Sequence, residues 1–132
     1  MFKVIVFLKR KRGLPRDKFI EYYENVHQKL VRDILPPILD YRRNYPIPND
    51  PLAFSGKFDD AQNFSSDAPS NPTDDFDVIT EISFHDRSGF EELIKALRES
   101  PAGKRIAEDE IQFLEREGNR VMIVEEFVSD PV

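Results

Sequence analysis

Six short stretches of hydrophobic periodicity limit the folds that are open to this chain of 132 residues. Apolar residues at every second position are typical of a strand, and apolar residues three or four positions apart mark one face of a helix. The stretches follow one another as strand, helix, strand, strand, helix, strand. Their predicted bounds are residues 2–9, 15–34, 38–47, 76–85, 88–118 and 120–128. Two helices over a four-stranded antiparallel sheet form the βαββαβ, ferredoxin-like arrangement, so we predict an α+β fold in a single domain, residues 1–132.

Start and stop signals set the predicted ends of the helices. Pro15 suits the first turn of the first helix, and Pro36-Pro37 stops it. Ser88 is the expected N-cap of the second helix, with Glu91 in capping-box spacing, and Ser100-Pro101 starts the second part of this helix. The apolar stripe of the first helix is predicted to consist of Phe19, Tyr23, Val26, Leu30 and Ile34.

The sheet is predicted to be apolar on both faces at its centre. In the first strand Val4 and Val6 alternate with Ile5 and Phe7, so each face receives apolar side chains. Two helices cover only one face, and an exposed apolar face favours association. We therefore predict a homodimer in which two sheets pack face to face and enclose the pocket. A monomer whose second face is covered by residues 48–75 is the alternative.

Residues 48–75 differ in composition from the rest of the chain. They are rich in proline, serine and asparagine, and they contain six aspartates but one basic residue, Lys57. We predict a long acidic loop, and loops of this length in a compact domain are usually functional lids or disordered. Phe54, Phe58 and Phe64 indicate that part of it packs against the domain.

Composition excludes several classes of function. Without cysteine the chain has no disulfide, no thiolate nucleophile and no zinc–thiolate site. A pI near 5.0 argues against general nucleic-acid binding. No apolar run approaches the roughly 20 residues that span a bilayer, and the N-terminal residues lack the layout of a signal peptide. We expect a cytoplasmic protein without metal or cofactor that binds neither nucleic acid nor membranes.

Two titratable residues are candidate catalytic groups. His27 lies on or beside the buried stripe of the first helix and is either a core histidine or a general acid or base. Glu81 lies in the middle of an apolar strand and is expected to face the second side of the sheet. A carboxylate buried there is a candidate acid or base with a raised pKa, and an ion pair with Arg42 or Arg43 at a dimer interface is the alternative.

Polar and aromatic residues near the ends of the strands are candidate substrate-binding groups. Tyr41, Asn44 and Tyr45 lie on either side of two adjacent arginines, a pattern that suits a phenolic or carboxylated ligand and also suits an ordinary edge strand with salt bridges. Tyr23 precedes His27 by one helical turn and is included in the set. His85 is included as well, with a capping role at the end of its strand as the alternative.

Several segments resemble the EthD domain family. They are residues 2–10, Gly13-Leu14, residues 19–27 (FIEYYENVH), residues 41–45 (YRRNY) and residues 76–84 (FDVITEISF). The resemblance implies a dimeric α/β barrel, and it places the histidine of the family's helix at His27 and the asparagine of its second strand at Asn44. Members of that superfamily include cofactor-free polyketide cyclases, dehydratases, decarboxylases, lactone isomerases and monooxygenases that act on aromatic or polyketide-like substrates.

These observations lead to an expected function with two alternatives. We expect a small cofactor-free enzyme of the lyase or isomerase type, in which His27 moves a proton on a carbonyl compound bound between the sheets. Glu81, Tyr41 and Tyr45 are expected to orient or polarise that substrate. The alternatives are a cofactor-free monooxygenase of the same fold and a non-catalytic binding or accessory protein of a metabolic pathway.

Overall fold

The structure, a computed structural model, describes residues 1–58 and 75–130. The strands are β1 (Phe2–Leu8), β2 (Asp40–Asn44), β3 (Val78–Phe84) and β4 (Arg120–Val124). The helices are α1 (Arg16–Tyr22), α2 (Gln28–Ile34), α3 (Arg87–Glu99) and α4 (Pro101–Glu110). A π-helical turn (Tyr23–His27) joins α1 to α2, and a 3-10 turn (Arg116–Gly118) precedes β4. The predicted order of elements is confirmed, whereas most of the predicted acidic loop, including Phe64, lies outside the described residues.

The strand order of the sheet is β2-β3-β1-β4, and neighbouring strands are antiparallel. Val4 pairs with Ile82 on one side and Ile123 on the other, and it is buried under the helices. Side chains alternate along a strand, so the adjacent Ile5, with its partners Glu81 and Met122, lies on the opposite side. We call the side of Val4 and Ile82 the inner face and the side of Ile5, Glu81 and Met122 the open face. The α+β, ferredoxin-like fold is confirmed.

All four strands are shorter than predicted, and β2 and β4 are shortened most. β4 stops at Val124, which pairs with Lys3, and β1 begins only one residue before Lys3. The predicted continuation to residue 128 is therefore wrong, and Phe127 is 90% exposed. β2 stops at Asn44, shortly before Pro46, whose nitrogen has no hydrogen to donate to a neighbouring strand.

The N-cap of α3 is Asp86 rather than the predicted Ser88. The carboxylate of Asp86 accepts hydrogen bonds from the backbone N–H of Gly89 at 3.2 Å and from the hydroxyl of Ser88. A charged carboxylate is a stronger acceptor than a hydroxyl at the positive end of a helix. The predicted start of α4 at Ser100-Pro101 is confirmed, and Ser100 caps the helix by accepting a hydrogen bond from the N–H of Gly103 at 3.4 Å.

The π-helical turn changes which residues of the first helix are buried. The buried residues recur at a spacing of four, namely Phe19, Tyr23, His27, Val31 and Leu35, whereas the predicted Val26 is 42% exposed. In a regular α-helix, four steps of four residues drift by about 160° around the axis. A π-helical turn contains more residues than an α-helical turn, so it reverses part of this rotation and keeps His27 on the buried side. Such turns occur frequently at functional sites.

A tight corner between α3 and α4 sets the position of α4. Gly103 is buried near the start of α4, and a Cβ atom built there would lie 2.1 Å from the carbonyl oxygen of Leu97. Because this oxygen belongs to the backbone of α3, it has little freedom to move. Only a residue without a side chain allows the two helices to approach this closely, and α4 carries Asp109 and Glu110 near its end.

We predict that Gly103→Ala destabilises the fold by about 1–3 kcal/mol, the usual cost of overpacking. Urea denaturation measures the free energy of unfolding. Gly118→Ala is the matched control, because a Cβ there first meets the flexible Lys9 side chain at 3.4 Å. Equal stability of the two variants would contradict this account of the corner.

Candidate active site

A cavity of about 190 Å³ lies between the inner face of the sheet and the helices. Sheet residues such as Val6 and Ile82 form one wall, and helix residues such as Leu93 and Ile106 form another. Its lining is apolar except for six side chains, Tyr23, His27, Tyr41, Thr80, Glu110 and Asn119. The pocket was expected between two sheets, on the open face. The cavity described here lies instead on the inner face, between the sheet and the helices of one chain, and a pocket between two sheets stays a prediction.

His27 is held in the wall of this cavity by a carboxylate from α4. The side chain is 4% exposed, and its Nδ1 lies 2.8 Å from Oδ2 of Asp109. The other carboxylate oxygen of Asp109 accepts a hydrogen bond from the hydroxyl of Tyr22 at 2.5 Å. Because an ionised carboxylate only accepts hydrogen bonds, Nδ1 carries the hydrogen and Nε2 carries the lone pair. Within the described part of the chain, Nε2 has no hydrogen-bond partner, so it is free to accept a proton.

Burial sets the charge state of this histidine. Desolvation lowers the pKa of His27 below its ordinary value, although the hydrogen bond and the charge of Asp109 oppose that shift. The imidazole is therefore neutral at neutral pH. Burial and the hydrogen bond to Asp109 raise the pKa of Tyr22 to about 12, so Tyr22 remains a donor to the carboxylate. A neutral imidazole oriented by a carboxylate is the arrangement of a general base.

Three hydroxyl groups form a second polar group in the cavity wall. The hydroxyl of Tyr23 lies 2.9 Å from that of Tyr41 and 3.1 Å from Oγ1 of Thr80. Three hydroxyls carry three hydrogens, and these two hydrogen bonds use two of them. One hydrogen therefore remains to be donated to a ligand oxygen. Burial raises the pKa of both tyrosines, so they stay protonated. We call Tyr23, Tyr41 and Thr80 the hydroxyl cluster.

The hydroxyl cluster is supported by an ion pair behind it. The guanidinium of Arg43 lies over the ring of Tyr41, 4.7 Å from its centre, and donates two hydrogen bonds to Glu24, at 2.9 and 2.7 Å. Tyr45 also donates to Glu24 and packs edge-on against Tyr23. The structure thus places Tyr45 behind Tyr23 rather than in the cavity lining, where it orients the ring of Tyr23.

The structure does not bring all the predicted site residues together. His27, Tyr23 and Tyr41 meet at the cavity, whereas Glu81 and Asn44 lie on the open face and His85 is exposed beyond the end of β3. The cause is the alternation of side chains along β2 and β3, which sends neighbouring residues to opposite faces. His27 and Glu81 therefore cannot act on one substrate molecule within this cavity.

The environment of Glu81 also differs from the expected one. Its carboxylate lies 2.6 Å from Nζ of Lys3 and accepts a hydrogen bond from the amide of Asn44 at 3.0 Å. The hydrogen bond from Lys3 lowers the pKa of Glu81, with Asn44 contributing, so the expected rise is corrected. Within the chain, Glu81 pairs with Lys3, Arg42 with its neighbour Asp40 and Arg43 with Glu24, and the alternative of an ion pair across a dimer interface stays a prediction.

Four polar residues of the site were missed in the sequence, namely Thr80, Asp109, Glu110 and Asn119. Asp109 and Glu110 follow Ile106 at spacings of three and four on α4, a position next to the apolar stripe that is a usable signal. Burial raises the pKa of Glu110, although the nearby charge of Arg116 lowers it. Asn119 precedes β4, and its Oδ1 is buried without a hydrogen-bond partner among the residues that the structure describes.

Comparisons with known proteins agree with this architecture. The family model described as EthD domain matches residues 11–117. A solved structure of an ethyl tert-butyl ether D (EthD) family protein from Bacillus halodurans C-125 is 20% identical, with a TM-score of 0.56, over 96% of this chain and 100% of that one. HapK from Hahella chejuensis is 14% identical, with a TM-score of 0.58, over 100% and 98% of the two chains.

A third solved structure has a similar fold. A dimeric ferredoxin-like protein of unknown function from Jannaschia sp. CCS1 is 12% identical, with a TM-score of 0.54, over 95% of this chain and 98% of that one. No curated protein matches the sequence. No helix within residues 1–58 and 75–130 is both long enough and apolar enough to cross a membrane.

We predict that Asp109→Asn lowers the pKa of His27. Asp109 raises this pKa through its hydrogen bond and its charge, and the amide removes the charge while its NH₂ group competes as a donor to the imidazole. A pH titration followed by NMR of the imidazole measures the pKa, and the nitrogen shifts report the tautomer. Asp33→Asn, an exposed position near the end of α2, is the control. An unchanged or higher pKa in Asp109→Asn would contradict the assigned role.

Proposed function

The chain belongs to the EthD domain family, and from that membership and the chemistry of the cavity we propose that it is a small enzyme that transfers a proton on a carbonyl compound. The observation that carries the proposal is the buried His27–Asp109 pair in the wall of the largely apolar cavity. The substrate class expected from the resemblance, an aromatic or polyketide-like carbonyl compound, suits that lining.

The proposed first step is removal of a proton by His27. The lone pair of Nε2 takes a proton from the carbon next to the carbonyl group, and the imidazole becomes an imidazolium. Asp109 stabilises that positive charge across the 2.8 Å hydrogen bond. General-base catalysis of this kind contributes roughly 10²- to 10⁴-fold to a rate. The apolar wall excludes water, which strengthens the electrostatic interactions within the cavity.

The hydroxyl cluster supplies the complementary group. Loss of the proton moves negative charge onto the carbonyl oxygen and forms an enolate. The one hydrogen that Tyr23, Tyr41 and Thr80 do not use among themselves is available to that oxygen. A single fixed donor to a developing oxyanion contributes roughly 10²- to 10³-fold. Cyclisation, dehydration, decarboxylation and isomerisation all use an enolate, and the proposal covers them as one class.

We predict that His27→Gln reduces enolisation at least about 100-fold, the low end for a lost general base. The assay follows deuterium uptake at the α-carbon of phenylacetone in D₂O by proton NMR. For the unchanged protein the rate falls as the pH drops through the pKa of His27, which lies below 6.5, because the imidazolium has no lone pair.

Lys29→Gln, which places the same residue at an exposed position two residues further along, is the control for this assay and is expected to exchange at the rate of the unchanged protein. Exchange by His27→Gln at that same rate, with both variants folded, would overturn the proposed function.

We also propose that the protein is a homodimer that joins its open faces. The centre of the open face is apolar, with Ile5, Phe7, Ile79 and Met122 placed around the ion pair of Glu81. The side chain of Met122 is 51% exposed in the single chain. A second sheet packed against this face would remove that apolar surface from water. The dimeric description of a neighbour of similar fold supports the proposal.

We predict that Met122→Glu converts the dimer to a monomer, because burying an unpaired carboxylate at an interface is costly. Size-exclusion chromatography with light scattering measures the mass in solution. Ile111→Glu is the matched control, since Ile111 is also 51% exposed but lies after α4, away from the open face. A monomeric unchanged protein would contradict the proposal and favour the alternative in which residues 48–75 cover this face.

A further inference from the structure

Glu110 carries a carboxyl group in the cavity wall that the proposed proton transfer does not use. It is the last residue of α4, and it is the only carboxyl-bearing residue among the described residues that line the cavity. It follows Ile106 by four positions, a spacing that places both side chains on one face of the helix, and both line the cavity. Glu110 therefore borders the same cavity as His27.

Asp109 and Glu110 are consecutive in α4 but have different partners. Successive residues of an α-helix point about 100° apart around its axis. Asp109 contacts Nδ1 of His27 at 2.8 Å, whereas Glu110 forms no hydrogen bond with His27 in the part of the chain that the structure describes. The first carboxyl group holds the base in place, and the second remains available to a ligand in the cavity.

The contacts of Glu110 with the rest of the protein do not account for its position. The C-terminal end of a helix carries partial negative charge, which disfavours a carboxylate there. Nε of Arg116 lies 3.4 Å from Oε1 of Glu110, a longer distance than the about 2.7–2.9 Å of a strong charge-assisted hydrogen bond. The side chain of Arg116 is 47% exposed, and an ion pair with such an exposed partner contributes little to stability.

We propose that Glu110 is a second catalytic residue, which donates a proton to the substrate at a different carbon atom from the one that His27 deprotonates. The inference rests on the proposed function, because His27 must first form the enolate. Two proton-transfer groups at one cavity suit a 1,3-proton transfer, which needs no further reactant. The substrate class is then a β,γ-unsaturated carbonyl compound, and the product is its conjugated isomer.

The reaction moves a proton and no other group. Nε2 of His27 takes a proton from the α-carbon, and the electron pair of that C–H bond forms a dienolate with the carbonyl group and the β,γ double bond. The carboxylic acid of Glu110 then gives its proton to the γ-carbon. The π electrons of the β,γ double bond form the new C–H bond, the carbonyl group re-forms, and the remaining double bond joins the α- and β-carbons. After product release, a proton passes from the imidazolium through water to the carboxylate, which restores both groups.

The test follows cyclohex-3-enone in D₂O by proton NMR, which reports deuterium uptake at the α-carbon and conversion to cyclohex-2-enone in one sample. Glu110→Gln is expected to convert the ketone at least about 100-fold more slowly, the low end for a lost general acid, and to keep the exchange rate of the unchanged protein. Glu108→Gln, at an exposed position of α4, is the matched control and is expected to keep both rates. Thermal unfolding checks that each variant is folded.

Three results of this assay would overturn the inference. The first is conversion by Glu110→Gln at the unchanged rate. The second is loss of exchange together with conversion in Glu110→Gln, and the third is an unchanged protein that exchanges the α-proton without converting the ketone.

The pH dependence separates a catalytic role of Glu110 from a structural one. Conversion needs a neutral His27 and a protonated Glu110, whereas exchange needs only the neutral His27. Burial lowers the pKa of His27 and raises the pKa of Glu110. Both rates are therefore expected to fall as the pH drops through the pKa of His27, and only conversion is expected to fall as the pH rises through the pKa of Glu110.

Arg116→Gln tests the same assignment from the other side of the ion pair. The charge of Arg116 lowers the pKa of Glu110, and the charge of Asp109 raises it. Arg116→Gln is therefore expected to retain conversion and to move its decline to higher pH. Equal losses of conversion in Arg116→Gln and Glu110→Gln at every pH would show that Glu110 only holds Arg116, and would overturn the inference.

The outcome is distinguishable from that of the proposed function. If His27→Gln loses exchange and Glu110→Gln converts the ketone at the unchanged rate, the proton transfer by His27 stands and the role of Glu110 fails. If His27→Gln keeps exchange and Glu110→Gln loses it, Glu110 is itself the base, and both proposals fail.

Discussion

The hydrogen bond between His27 and Asp109 joins the first helical segment to α4 at the wall of the cavity. It links a π-helical turn near the start of the chain to the end of α4, across 82 positions of sequence, at 2.8 Å. An imidazole buried at this depth needs a partner for its N–H, because an unpaired donor away from water is destabilising. The same carboxylate selects the tautomer that leaves Nε2 free. Packing of the helices and chemistry of the site therefore depend on one contact.

The alternation of side chains in the sheet divides the molecule into two environments. On the inner face, Tyr41 and Thr80 join Tyr23 in the wall of the largely apolar cavity, where burial keeps the tyrosines protonated. On the open face, Glu81 is held ionised by Lys3 at 2.6 Å. The proposed chemistry uses the first environment, and the proposed dimer uses the second. Adjacent polar residues of one strand, such as Thr80 and Glu81, therefore lie in different environments.

Much of the fold was predictable, because local periodicity reflects which side of an element is buried. The order of elements followed from alternation in the strands and from spacing in the helices. The errors have local physical causes. The π turn moved burial from Val26 to His27, a charged carboxylate displaced Ser88 as the cap of α3, and β4 ended where β1 had no more residues to pair with it. Each depends on a contact that a periodic pattern does not contain.

The sequence by itself determined the order of the elements, the two-faced sheet, the EthD resemblance and the placement of a histidine on or beside the apolar stripe of the first helix. The tertiary structure decided which face holds the cavity, which carboxylate meets His27 and which predicted residues meet each other. The physical reason is that Asp109 reaches His27, and Glu110 and Asn119 reach the cavity, only when α4 and β4 have taken their places in the fold. Contacts between distant parts of a chain are set by packing geometry, which residue spacing along one element does not specify.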